Sequence, residues 1–265
     1  MSYIILSLII LAIAFIMTMT GRGGGNFYVV ALVAAGMSMH QSAASGQFIL
    51  MVTALCGMLI FSRKKLVDWM LALVIDPATD IMALVGGYFS DYIGGTYLKL
   101  FFSGLLVIAG FLMLLKVNDT PLPEVKKAGF WHRTFGNATY VVNLWIAIPI
   151  CAAVGLASGA LGISGGSFKV PLMVLLCGVP MRIAIGTSSA MVAATALMGF
   201  IGHTAQGHFD LQAAVPFAVA AAVGGILGGK LAIKTKTKKL KTVFAVTTLA
   251  AAGFMAWNAL MNVNV

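Results

Sequence analysis

The sequence predicts an all-α polytopic membrane protein. Three observations carry that prediction: a composition that water cannot cover, apolar runs of membrane-spanning length, and a pattern of glycines and polar residues that recurs in the second half of the chain. Of 265 residues 60% are hydrophobic and 9% charged, where a soluble domain carries about a quarter charged residues. Seven acids and seventeen bases cannot coat a globule of this size with solvated side chains, so lipid has to cover much of it.

Apolar runs fall at 3–20, 27–39, 43–61, 67–89 and 97–115, and again at 141–161, 168–179, 184–202, 211–229 and 240–258. Eight of them are long enough to cross about 30 Å of hydrocarbon at about 1.5 Å per residue. The second run of each set is too short for a straight crossing and follows a glycine cluster, which marks the two irregular segments. The first twenty residues lack a basic leader and an A-x-A cleavage site, and their pattern recurs later. They are therefore read as the first span and not as a signal peptide.

The two sets align in register. Gly21, Gly24, Gly25 and Phe27 map onto Gly162, Gly165, Gly166 and Phe168 at an offset of 141. Asp68, Gly86, Gly87, Leu98 and Lys99 map onto Asp210, Gly228, Gly229, Leu240 and Lys241 at 142. The chain thus reads as a tandem duplication, with transmembrane repeat 1 over 1–115, a cytoplasmic connector over 116–140 and transmembrane repeat 2 over 141–265. The connector is a long polar stretch containing Pro121 and Pro123, and is expected as a link and not a domain.

Orientation follows from the bases. Ten crossings put fifteen of the seventeen Lys and Arg on one side, leaving Lys99 and Lys169 on the other. If the short runs do not cross, the division is ten against seven. The positive-inside rule favours ten crossings with both termini outside. Five crossings per repeat is an odd number, so the second copy is expected upside down. The loops agree: 62–65 is basic where its counterpart 203–210 has no Lys or Arg, and 90–96 is acidic where 234–239 is basic. Two inverted five-segment repeats around a midplane site are a recurrent plan of secondary transporters.

Each short run begins in a glycine cluster, GRGGGNF at 21–27 and GISGGSF at 162–168. Glycines let the backbone turn sharply and approach a ligand, and the helix that follows offers free amides and the positive end of its dipole. Two such N-termini would make one anion site, with the amides of Gly24, Gly25, Gly166 and Ser167 directed at the ligand and Asn26 beside them. The alternative is that these glycines only permit close packing, the role assigned to Gly224, Gly225, Gly228 and Gly229. Arg22 and Lys169 stand in or next to the turns, where an unpaired charge is expensive and points to a ligand or a partner acid. Arg22 could instead snorkel to the headgroups. Gln47, Thr187, Ser188 and Ser189 could complete an oxyanion's hydrogen bonds, or bond their own backbone.

Residues 155–190, GLASGALGISGGSFKVPLMVLLCGVPMRIAIGTSSA, carry a G-x-x-S-G-x-x-G-x-x-G-G run, then V-P, then A-x-G-T-S. In this the chain resembles the TauE/SafE family of sulfite exporters, also called the four-toluene-sulfonate uptake family. The resemblance implies a membrane carrier of sulfur-containing anions such as sulfite, sulfonates, sulfoacetate or thiosulfate, with export the expected direction. It puts Gly165, Gly166, Ser167, Thr187 and Ser188 on signature positions. The first repeat departs from the pattern: GRGGGN carries Arg22, V-P becomes Val29-Val30, and G-T-S becomes Ser45-Gly46-Gln47.

Asp76 and Asp80 are four residues apart on one helical face, about ten residues inside their run, while their repeat counterparts are Ala218 and Ala222. Carboxylates at such depth must be protonated, paired or wetted. They are candidates for proton or sodium coupling, or for a structural ion pair with Arg22 or Lys169. No Ser/His/Asp set, catalytic carboxylate pair or Walker loop can be assembled, so no enzymatic activity, cofactor or metal is expected. Cys56, Cys151 and Cys177 lack metal or redox spacing and read as packing residues. A charge of +10 with no soluble basic domain excludes nucleic acid. The expected partners are a small sulfur-containing anion and membrane lipid, with a homodimer left open, in the cell's inner (plasma) membrane. An anion channel, or a carrier of a non-sulfur organic anion, is the alternative.

Overall fold

The computed structural model describes residues 3–89, 95–114, 128–161, 164–205, 207 and 209–261. Helices follow the predicted runs: α1 (Tyr3–Met19), α2 (Gly25–Ala34), α3 (Met39–Arg63), α4 (Trp69–Tyr88), α5 (Gly95–Leu114), α6 (Leu144–Leu161), α7 (Gly166–Pro171), α8 (Met181–Thr204), α9 (Leu211–Lys234) and α10 (Thr237–Met261). Pro171 removes a backbone donor from α7, which continues as one π turn, Leu172–Leu176. Its counterpart in the first repeat is Val30, and α2 is regular α-helix throughout. Among the described residues, five helices (α3, α4, α6, α8 and α9) are long and apolar enough to cross a membrane. α1, with 17 residues, falls just short of that length.

One expectation is corrected. The fold is mainly and not wholly helical, because the connector ends in an antiparallel hairpin, β1 (Phe130–Phe135) and β2 (Ala138–Asn143). Residues 141–143, predicted as the start of a span, are its last residues. Gly136, at φ 58, opens the two-residue turn, where glycine is favoured. The hairpin is fastened to the start of α4. Asp68 caps that helix by accepting from the Met70 and Leu71 amides at 3.1 and 3.2 Å, which satisfies donors a helix start leaves unpaired. Its carboxylate also receives both arms of Arg133, at 3.0 and 2.8 Å, and the Tyr140 hydroxyl. Burial alone would raise the pKa of Asp68, but the hydrogen bonds from Arg133, Tyr140 and the Leu71 amide outweigh it and hold the group below the usual carboxylate range. Asp210 caps α9 in the same way, at 2.9 and 3.2 Å. This accounts for the recurrence of Asp68 and Asp210 in the two halves.

Helices α3 and α8 pack against each other, α3 also against α9 and α8 against α4. The remaining main pairs are α1 with α9, α4 with α6, and α5 with α10. Two of these bring backbone onto backbone. A Cβ at Gly155 or Gly159 of α6 would lie 2.2 or 2.1 Å from the Thr79 or Ala83 carbonyl oxygen of α4. At Gly224 and Gly228 of α9 it would lie 2.3 and 2.1 Å from those of Leu11 and Phe15 in α1. This spacing of small residues lets membrane helices approach closely. Gly225 and Gly229 face α3 instead. Large apolar side chains such as Ile4, Leu73, Ile81 and Trp145 are exposed, as a lipid-covered surface requires.

Candidate functional site

The structure brings the two glycine clusters into contact. Gly21, Gly23 and Gly24 have φ of 72, 70 and 95°, in the left-handed region where glycine carries no penalty. In the described part of the second cluster it is Gly166 that is needed for space. Gly165 is right-handed, and a Cβ on Gly166 would sit 2.9 Å from the Arg22 Cα and 3.0 Å from the Gly21 oxygen. The turns are tied by hydrogen bonds: the Ser164 hydroxyl donates to the Arg22 carbonyl, and the Ser164 amide donates to Asn26 Oδ1 at 2.8 Å. The Gly166 amide, expected to face a ligand, donates to Ser164 Oγ at 3.3 Å.

Arg22 turns inward and is 2% exposed. Its Nε and Nη2 donate to Ser167 Oγ at 3.0 and 2.7 Å. Nη1 donates to Thr247 and Thr248 of α10 at 3.1 and 2.8 Å, and the Phe244 ring lies 5.1 Å from the guanidinium carbon. Both threonines give their own hydroxyl hydrogens to backbone carbonyls one turn back, leaving oxygen lone pairs for the arginine. These partners are all neutral. Of the seven acids, Asp91, Asp119 and Glu124 lie outside the described residues. The other four are Asp68 beside Arg133, Asp76 beside Lys169, Asp80 beside Thr195 and the cap Asp210. Among the described residues, Arg22 is a buried cation without an anion.

Lys169 differs. It is 1% exposed, and its Nζ reaches Asp76 Oδ1 at 2.5 Å, Thr195 Oγ1 at 2.6 Å and the Met191 carbonyl at 3.2 Å. The Thr195 hydroxyl in turn lies 2.8 Å from Asp80 Oδ1. Of the two cations considered as partners for the acids of α4, the structure selects Lys169.

Thr187, Ser188 and Gln47 are buried and bonded to the protein's own backbone. Thr187 Oγ1 accepts from the Asp68 amide at 3.0 Å, and Ser188 donates to the Gly21 carbonyl at 2.8 Å. Gln47 donates to the Ser158 carbonyl at 3.0 Å, while its Oε1 is buried with no partner among the described residues. Sequence reasoning missed Phe244, Thr247 and Thr248, and Thr195. The adjacent threonines in an otherwise apolar run of α10 were the available signal, but nothing in the sequence pairs that face with Arg22.

Comparison with known proteins gives the family. The model of the family described as "Sulfite exporter TauE/SafE" matches residues 6–255. The "probable membrane transporter protein YunE" of Bacillus subtilis (strain 168) is 25% identical over 262 residues, covering 94% of this chain and 95% of that protein. A "probable membrane transporter protein" of Xylella fastidiosa (strain Temecula1 / ATCC 700964) is 26% identical over 241 residues, covering 89% and 88%. No solved structure matches.

Proposed function

The chain belongs to the sulfite exporter TauE/SafE family and is a membrane transporter, and from that premise we propose that it is a secondary carrier of a small sulfur-containing anion, bound at Arg22 where the two glycine turns meet. The observation that carries this reading is the buried guanidinium whose partners among the described residues are all neutral. A charge in such a place is strongly disfavoured until an opposite charge joins it, and an anionic cargo supplies that charge. Gly24, Gly25, Asn26, Gly165, Gly166, Ser167 and Lys169 shape the site, with Gln47, Thr187 and Ser188 in its supporting shell.

The inverted arrangement is part of the proposal, and the helix pairing has the two-fold symmetry that any such repeat requires. Exchanging the first five helices for the last five turns the α1–α9 pair into α6–α4, α3–α9 into α8–α4, and leaves α3–α8 and α5–α10 unchanged. Both termini are assigned to the outside of the inner membrane and the basic 62–65 loop to the cytoplasm, with export the direction of net flux. Asp76 and Asp80 are assigned to proton or sodium coupling.

Purified protein in sealed liposomes loaded with radiolabelled sulfite tests the function. Saturable counterflow is expected, and Arg22→Gln should abolish it while the protein still inserts. Current without counterflow would make it a channel, and full counterflow in the variant would remove Arg22 from the site.

A further inference from the structure

Arg22 has five N–H hydrogens, and four are accounted for: one on Ser167 from Nε, one on Ser167 from Nη2, and two on Thr247 and Thr248 from Nη1. One Nη2 hydrogen is left. Ser167 accepts twice, and among the described residues no acceptor is found for its own hydroxyl hydrogen. Two donors thus remain side by side, on a group carrying a single positive charge. Among the described residues, the polar and ring contacts of the guanidinium come from α7 (Ser167) and α10 (Phe244, Thr247, Thr248), and none is charged.

From this we infer that the site selects a singly charged oxyanion such as a sulfonate or hydrogensulfite, and that α10 sets this selectivity. The inference rests on Arg22 being the anion site. A monoanion places two oxygens on the two spare donors and brings the buried charge to zero. A dianion leaves one negative charge uncompensated in an apolar interior, and its additional charged oxygen finds no donor on this cage. Thr247 and Thr248 contribute by what they are not. Hydroxyls hold the guanidinium in position as acceptors without neutralising it, which a carboxylate at either place would do.

Methanesulfonate and sulfate test this, because both are tetrahedral and similar in size, and differ by one charge. Titration calorimetry on the full-length protein in detergent should show methanesulfonate binding at least tenfold tighter, about 1.4 kcal/mol. Sulfite affinity should rise as the pH falls through its second ionisation, with methanesulfonate unchanged over the same range. Thr248→Asp supplies an internal counter-charge and should lower methanesulfonate affinity at least tenfold without lowering thermal stability. Less than tenfold discrimination in the unmodified protein, with Thr248→Asp still abolishing binding of both anions, would overturn the charge selection and leave Arg22 as the site. Unchanged affinity in Thr248→Asp would remove Arg22 from the site, and the proposed function with it.

Discussion

Replacing Lys169 by Met is the most demanding test of the buried ion pair. Lys169 and Asp76 are 1% and 4% exposed and 2.5 Å apart, so neither can recruit bulk water once the other is gone. Removing one member of such a pair costs about 3–5 kcal/mol, because the survivor is a stranded charge, whereas replacing both by apolar residues of similar volume is often neutral. Lys169→Met should therefore lower unfolding free energy by about that amount. Lys169→Met with Asp76→Leu should recover at least half of the loss. Denaturant titration of the unmodified protein, Lys169→Met, Asp76→Leu and the double variant in one detergent gives the cycle directly. A loss below about 1 kcal/mol, the range of solvent-exposed pairs, would show that the pair is not formed in a dry interior. A double variant no better than Lys169→Met would show that Asp76 is not the group left stranded.

The Asp68 clamp predicts an acid limb to stability. Since its folded-state pKa lies below the ordinary 3.8, its contribution is complete above that value and is lost as pH falls through the lower folded one. Melting temperature against pH should show this limb, and Asp68→Asn should flatten it. Arg133→Gln leaves a buried carboxylate short of two charge-assisted bonds and should cost about 1.5–3 kcal/mol, read by the same melts. Gly155→Ala should destabilise by about 1–3 kcal/mol through overpacking. Gly253→Ala, where nothing lies within 4 Å of the new Cβ, should stabilise by about 0.5–1 kcal/mol, and equal effects at the two sites would refute the packing argument. Asp76→Asn with Asp80→Asn should remove any pH or sodium dependence of methanesulfonate counterflow in liposomes, since that anion's own charge is fixed; dependence that persists would place coupling elsewhere.

Most of the helical layout was legible because a lipid-covered chain writes its spans as apolar runs, and the runs at 43–61 and 184–202 lie within α3 and α8. The hairpin was not. Its strands are six residues each, inside a stretch whose prolines and charges suggest a mere link, and β2 merges into the apolar start of α6. The glycine clusters were found from their recurrence, and the choice of Lys169 for Asp76 was among the alternatives. The α10 side of the Arg22 cage was invisible. More than two hundred residues separate Arg22 from Thr247 and Thr248, and hydroxyls that bond their own helix leave no periodic trace.

Gly186, Thr187 and Ser188 sit on the signature positions by which this chain is recognised, and each is committed to assembly. Gly186 leaves room for the Leu66 carbonyl, 2.4 Å from where its Cβ would be. Thr187 receives the Asp68 amide, and Ser188 grips the Gly21 turn. A pattern of this kind is a mason's mark and not a bill of lading. These three positions report how the chain is put together, whereas Ser167, on the same signature, meets Arg22. Subfamilies with different cargoes are better sought by the residue at the position of Arg22, read jointly with those at Thr247 and Thr248.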